Sequence, residues 1–421
     1  MVKHLFILLF ITSFNYTTEA QIATIFADEF PDSSKTKIGI TSNYDLNSTA
    51  FTNTFISKFY LGGYINTDLK NTVLNRLKNA NQIGGNLNNG VYAAFKLQSF
   101  GGSKNISLFF SVRDRLHFDS QFSGDLYKVG FYGNSQFAGQ TANFDNFSLN
   151  LIHYQQVQIG LFSSKLDSAA RWGIGLSFLK GQQYFSVIAN KAELFTSEDG
   201  QYINFNTDLT AIQSDPAHTG TGALNGYGAS LDLYFEAPFQ TRFGDSKLRI
   251  AVSDIGLIRF NKQTQQYQQD SVFQYSGIRI DNIYDVQSLA LGSKAKDSII
   301  NAIAPNHKQA YNATLPAILD LTFETHFTKR FHLIEGIHYV FNANYTTLYY
   351  VKAHYYFTPK FMLSATFGYG GYGNLNYGIG VFADLGRGIK LYAGSNNIEG
   401  YIAPAKTAGQ GVYITLVKSF K

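Results

Sequence analysis

Four histidines crowd one stretch of the chain, His326, His332, His338 and His354, with Asp320, Glu324 and Lys352 among them. Imidazole and carboxylate groups form the donor set of a divalent metal site or a proton relay. The same groups also make an ion-paired, hydrogen-bonded lining wherever polar side chains are turned away from lipid. The chain has no Cys, which excludes thiolate metal sites and a disulfide scaffold. Gly368-Tyr369-Gly370-Gly371-Tyr372-Gly373 has the letters of a dinucleotide loop, G-x-G-x-x-G. It is followed by an alternating segment rather than a helix, so these glycines suit a tight turn and close strand approach. No G-x-S-x-G elbow singles out a serine nucleophile, and neither an enzyme nor a bound cofactor is expected.

The histidines sit in segments that alternate with period two. In 361–369 Phe361, Leu363, Ala365, Phe367 and Tyr369 alternate with Met362, Ser364, Thr366 and Gly368. In 375–385 the series Leu375, Tyr377, Ile379, Val381, Ala383, Leu385 is set against Asn376, Gly378, Gly380, Phe382 and Asp384. In 319–327 Leu319, Leu321, Phe323 and Phe327 alternate with Asp320, Thr322, Glu324 and His326. Side chains of a strand point alternately to its two faces, so each segment has one apolar and one polar face. Parity puts all four histidines, Asp320, Glu324 and Lys352 on the polar face, with His326, His332 and His354 towards one end.

Alternating strands also occur in soluble sandwiches, but these segments are longer than the roughly 5–6 residues usual there, carry Phe and Tyr near their ends as at Tyr355, Phe357 and Phe361, and sit in a chain of unusual composition. Charged residues are 15% of the chain, against roughly 25% in soluble proteins. Aromatics are 16%, with 37 Phe and 28 Tyr. After the N-terminus no apolar run is long enough for a membrane helix, so a membrane protein of this composition must cross with strands. The net charge of +5 is thinly spread, and no basic tract points to nucleic acid. At the start, Lys3 and His4 precede the apolar run Leu5–Ile11, and Thr18-Glu19-Ala20 offers a small residue before Gln21. That order is a secretory signal peptide, cleaved after Ala20, and residue 21 is not a lipidated Cys.

The expected fold is therefore all-β: a transmembrane antiparallel up-and-down barrel of a Gram-negative outer membrane, with about 14 strands (range 12–16). Strands are expected near 91–98, 104–112, 147–162, 171–179, 184–194, 224–236, 248–260, 315–327, 331–342, 346–357, 361–370, 375–385, 389–395 and 410–420. An extra hairpin around 201–212 or 273–281 would change the count. The chain closes on Val412–Lys421, an alternating strand with Phe420 next to the end, similar to the terminal assembly signal of such barrels. Counting back from it puts tight turns at 328–330, 358–360 and 386–388 in the periplasm and the long segments 195–223 and 261–314 outside. The expected division is 1–20 signal peptide, 21–89 N-terminal plug or periplasmic cap, and 90–421 barrel. A short helix is expected near 66–79, capped by Thr67 or Asp68, with Leu69, Val73 and Leu77 on one face. A second non-strand segment, 113–146, falls on the periplasmic side by the same count and is a second candidate plug.

Several stretches carry a family resemblance: Phe131-Tyr132-Gly133-Asn134, Gly62-Gly63-Tyr64-Ile65 before Asp68-Leu69-Lys70, Val252-Ser253-Asp254-Ile255-Gly256, and Ser395-Asn396-Asn397-Ile398 followed by Gln410-Gly411. They are similar to an uncharacterised Bacteroidetes-type outer-membrane β-barrel family. More loosely, the strand count and plug resemble the FadL/PorV barrel superfamily. That resemblance implies a channel for small or hydrophobic solutes with a plugged lumen, or a secretion-accessory barrel that docks a partner through its external loops. The implied partners are the outer-membrane lipid bilayer, a hydrophobic small molecule, and a protein of a secretion or envelope complex.

Overall fold

The computed structural model describes residues 35–102, 105–163, 170–276 and 306–421. The signal segment 1–20 and most of the external stretch around 273–281 lie outside the described residues. β1 (Thr36–Ser48), β2 (Asn81–Lys96) and β3 (Ile106–Phe122) pair in chain order. β4 (Gln140–Asn143) is a short rim strand, and β5 (Phe147–Ser163) continues the wall beside β3. β6 (Arg171–Thr196) pairs with β5 through most of its length. Its outer part, Phe185–Thr196, pairs with β7 (Ile203–Gln213), and its lower part, Arg171–Gly181, with β8 (Gly226–Thr241). β9 (Gly244–Phe260) follows β8, while β10 (Gln265–Tyr275) returns to β7 and carries β11 (Asn306–Lys308). β12 (Tyr311–Thr314) and β13 (Ile318–His326) share one wall position beside β9.

Next come β14 (Phe331–Val340), β15 (Thr346–Thr358), β16 (Phe361–Gly371), β17 (Leu375–Gly386), β18 (Ile389–Ser395) and β19 (Gly409–Phe420). Thr36 of β1 lies opposite Phe420 of β19, and this pairing closes a 14-strand antiparallel barrel. Closure removes the free sheet edges that could not be tolerated in lipid. On β16 Phe361, Leu363, Phe367 and Tyr369 point out and are exposed, while Met362 and Ser364 are buried inside. The pattern recurs at Ile38 and Ile40, Phe110 and Val112, Val157 and Ile159, and Trp172, Ile174, Leu176 and Phe178. A band of this extent exceeds any apolar patch a soluble monomer exposes, and it is the lipid-facing surface of a membrane barrel.

The strand number agrees with expectation, but two strands are drawn differently. Residues 36–48, expected in the plug, form a full wall strand, so the barrel begins at 36 rather than 90. Only Ile38 and Ile40 mark its lipid face, and the residues that follow them outward, Ser42 and Tyr44, are too polar to extend the signal. Segments 171–179 and 184–194 are one strand. A bulge at Gln182, where His153 faces Gln183 and Tyr154 faces Gly181, reverses the alternation midway. These two differences cancel in the count. The expected extra hairpin near 201–212 is β7, which forms an outlying ribbon with the outer part of β6 and β10.

Merging 171–179 and 184–194 into one strand also reverses, in a count taken back from the last strand, the side on which the non-strand segments lie. α1 (Asn53–Tyr60) and α2 (Thr67–Leu74) fall between β1 and β2, and α3 (Gly124–Tyr132) between β3 and β4. All three therefore lie at the end opposite both barrel termini, with the other long loops. They cap this end; they are not a plug on the terminal side. α2 is shorter than 66–79, and its cap is Asn66, whose Oδ1 accepts from Leu69 N at 2.9 Å, not Thr67 or Asp68. Leu46, Ala50, Phe55, Ile56, Val73, Ile83, Phe122 and Tyr127 form the core of this cap, which Leu46, Ile83 and Phe122 reach from the outward faces of β1, β2 and β3, so the helices lean on the outer wall at the rim. A last helical turn, α4 (Glu399–Ile402), lies in the β18–β19 loop and is stitched to α1. Asn53 Nδ2 donates to Gly400 O at 3.0 Å and Gly409 O at 2.6 Å.

Candidate functional site

The inward faces of the strands build the site. Every second residue of β3 from Ser111 to Asp119 points inward, giving Ser111, Arg113, Arg115, His117 and Asp119. Across the lumen side of β8 and β9 stand Asp232 and Asp254. Arg115 pairs with Asp254, and Arg113 with Asp232 at 3.5 Å and with the Gln158 side chain. Gln156 Nε2 joins Ser177 Oγ at 2.8 Å and Asp254 Oδ1 at 3.2 Å. Both aspartates are fully buried, so these charges are stable only as a paired, hydrogen-bonded set.

Asp254 reaches inward because β9 bulges there: Leu231 faces Ile255 and Leu233 faces Val252, leaving Ser253 and Asp254 opposite Asp232. Asp254 has φ 59°, a left-handed conformation that Asp tolerates better than most residues. This bulge is the Val252–Gly256 stretch of the family resemblance.

Nearer the termini the lumen is filled by Tyr92, Ala94, Phe109, Phe162, Tyr234, Ala251 and Val417. Glycines in the wall make room for these rings. A Cβ on Gly39 would stand 2.2 Å from the Tyr92 ring, and one on Gly160 2.2 Å from that of Phe109. Beside this packed core an ion-pair chain crosses four strands. Arg171 pairs with Glu236 at 3.4 Å, Glu236 with Arg249 at 2.6 Å, and Arg249 with Glu324 at 2.7 Å.

A cavity of 610 Å³ remains along β13 to β19 and β1 to β3. Its lining includes Asp45, Asn88, Arg115, Tyr350, Lys390 and Tyr413. At the loop end two turns fold inward over it. Asn344, between β14 and β15, donates its N–H to Asp119 Oδ1 at 3.0 Å. Tyr372, between β16 and β17, is buried with its hydroxyl 3.2 Å from His117 Nε2. His117 Nε2 is also 3.1 Å from Asp119 Oδ2. The mouth of the barrel is thus bridged by hydrogen bonds centred on Asp119.

The seven residues singled out from the sequence all face the lumen, but not as one cluster. Asp320, Glu324, His338, Lys352 and His354 line the cavity. Asp320 pairs with His338 at 2.7 Å, in mid-wall. His326 and His332 sit lower, both against Glu324, and His354 is opposite His332 on the next strand. Sequence reading missed Arg113, Arg115, Asp119, Asp232 and Asp254. Their signal was present: the outward series Phe110, Val112, Leu116, Phe118 continues through β3 and is interrupted only by Asp114. Asp114 points outward, where His153 of the neighbouring strand pairs with it at 3.0 Å.

In the cap the quoted family stretches meet. Lys70 Nζ donates to Phe131 O at 2.9 Å, and the Tyr132 hydroxyl to Asn71 Oδ1 at 2.6 Å. The Tyr127 hydroxyl donates to Lys70 O at 2.9 Å, and burial, with Tyr132 nearby, pushes its pKa above the usual phenol range. The Gly368–Gly373 pattern is the end of β16 and the start of its hairpin turn into β17, with Gly370 at φ 116° and Gly371 at φ 73°.

Closed wall, lipid-facing band and polar, partly filled lumen define a β-barrel membrane protein of the outer-membrane type. Within that class the chain belongs to the family of unknown function DUF5723, whose sequence profile matches residues 29–396. No curated protein matches it. Among solved structures it is similar to a TodX deltaS2S3 mutant monoaromatic hydrocarbon channel, at 9% identity and TM-score 0.43, covering 94% of this chain and 92% of that one. It is also similar to a Pseudomonas aeruginosa FadL homologue, at 10% identity and TM-score 0.41, covering 91% and 89%.

Proposed function

We propose that this protein is an exported, gated outer-membrane channel for a small solute. The observation that carries the reading is the 610 Å³ cavity, closed at the loop end by the Asp119 bridge. At ~30 Å³ per molecule it has room for about twenty waters. Its lining mixes amide, phenol and charged groups with apolar side chains such as Ile334, Leu348 and Met362, which suits a small solute bearing both polar and apolar faces, such as a sugar. The short connections at the terminal end and long loops at the other support placing the cap outside the cell. The signal segment Met1–Ala20 supports export, with Gln21 as the first mature residue.

The test is swelling of liposomes carrying the purified barrel, in solutions of pentoses and of larger sugars. Asp119→Ala, which removes the centre of the bridge, should raise the pentose rate several-fold over wild type and leave larger sugars excluded. Equal, background rates for both proteins refute the channel. A second reading then stands, a barrel that docks a protein, and it has its own observation. Leu61, Tyr64 and Ile402 are 78%, 83% and 77% exposed on the cap and the β18–β19 loop, well above the lipid band.

A further inference from the structure

We infer that Glu324, His326 and His332 form a divalent transition-metal site at the terminal end of the lumen, independent of the solute cavity's role. The strand geometry builds it. Glu324 and His326 are two apart on β13 and share its inward face, and the β13–β14 register puts His332 directly opposite His326. One ligand atom from each of the three side chains can be chosen so that all lie within 4.8 Å of one another. His326 Nε2 is 3.0 Å and His332 Nδ1 3.4 Å from the same oxygen, Glu324 Oε1. Donor atoms about 2.0–2.1 Å from a tetrahedral ion stand about 3.3 Å from one another, so the two spacings already match a shared metal.

The two imidazoles stack with ring centroids 3.9 Å apart and 13° between planes, so a shared ion needs a χ2 rotation of at least one ring to bring both in-plane lone pairs onto it. Two further features favour an ion over a plain hydrogen-bonded lining. Glu324 divides its oxygens: Oε2 accepts from Arg249 Nη2 at 2.7 Å, which leaves Oε1 as a fixed monodentate donor. Arg249 is itself shared with Glu236 at 2.6 Å, so its charge is divided between two carboxylates and opposes a bound cation less. Glu324 is buried, while His326 and His332 retain 27% and 15% of side-chain exposure. An ion can therefore enter from the periplasmic mouth, with a fourth position left for water. Two nitrogens and one carboxylate oxygen suit Zn(II), Ni(II) or Cu(II) rather than Ca(II) or Mg(II).

The experiment uses untagged full-length mature protein folded in detergent. Titration with Zn(II) alone should give one saturable site per chain, and Ca(II) none. His326→Gln and His332→Gln should each weaken Zn(II) at least tenfold. His338→Gln, whose ring pairs with Asp320 elsewhere in the lumen, should leave it unchanged. The Cu(II)-loaded wild type should show electron-spin hyperfine coupling to two imidazole nitrogens. Absence of saturable Zn(II) binding in the wild type overturns the site, as does equal affinity in folded His326→Gln and His332→Gln. If either variant fails to fold, the wild-type Cu(II) spectrum decides alone: two coupled nitrogens support the site and fewer reject it.

Discussion

Arg115→Met tests whether the lumen charges are held by one another or by water. In the wild type Asp254 is fully buried, with Arg115 as its counter-charge and Gln156 as a hydrogen-bond donor. Met keeps the length of the side chain and removes the charge, so Asp254 keeps its Gln156 hydrogen bond but loses its counter-charge, near Asp232. Breaking a buried pair from one side costs about 3–5 kcal/mol. That is a factor of about 10² to 10³·⁵ in the folding equilibrium at 1.4 kcal/mol per tenfold. The double change Arg115→Met with Asp254→Asn removes both charges, and Asn keeps the tolerance for positive φ that position 254 demands. It should recover at least half of the loss. Urea unfolding in lipid vesicles, followed by loss of the heat-modifiable gel band, reads both. Stability within about 0.5 kcal/mol of wild type for Arg115→Met would show that water reaches Asp254, and the account of a dry, packed half-lumen would be wrong.

Ala365, exposed between Ala353 and Ile379, faces the lipid band. Arg there should cost about 2–4 kcal/mol in vesicle refolding, and Leu should cost nothing measurable. Gly39→Ala should destabilise by about 1–3 kcal/mol through the Tyr92 ring, and Tyr92→Ala in the same chain should relieve the clash. Gly160→Ala should not be rescued by Phe109→Ala, since its Cβ also meets the Ile174 carbonyl at 2.4 Å. The absence of Cys makes single cysteines clean reporters of orientation. Ala405→Cys should label in intact cells with a membrane-impermeant maleimide, and Pro359→Cys only after the outer membrane is opened; the reverse pattern rejects the orientation.

What could be read from the chain depended on how fully each strand uses its lipid face. β16 and β17 alternate without a break, and which of their residues face outward was legible residue by residue. β1 was not, because a strand that leaves the membrane after two apolar residues looks like a polar linker. β6 was divided in two by a bulge, which imitates a turn in any count based on period two. Parity correctly turned all seven candidate residues inward, but it says nothing of which inward groups meet across the lumen. The Glu324, His326 and His332 grouping depends on the β13–β14 register, which the tight turn at 327–330 sets. The Arg115–Asp254 pair depends on a bulge, and the cross-mouth contact joins Asn344 in a turn to Asp119 on β3, 225 positions apart in sequence. Period two carries no trace of either.

β6 runs for 26 residues, although 9–11 suffice for a tilted strand to cross a bilayer. Only Trp172 to Phe178 carry its outward apolar series, and from Phe185 onward it pairs with β7, and β7 with β10, in a ribbon beyond the lipid band. On the β15 to β17 side the apolar exterior extends almost to the rim, at Tyr349, Tyr369 and Leu375. The wall is therefore a palisade on one flank and flush with the membrane on the other. For the channel proposed above, a body much wider than the barrel would meet the palisade first and be held off the mouth, while a small molecule would have the low side open to it. Access to such a channel would be filtered by the height of its fence before any residue of the lumen is met.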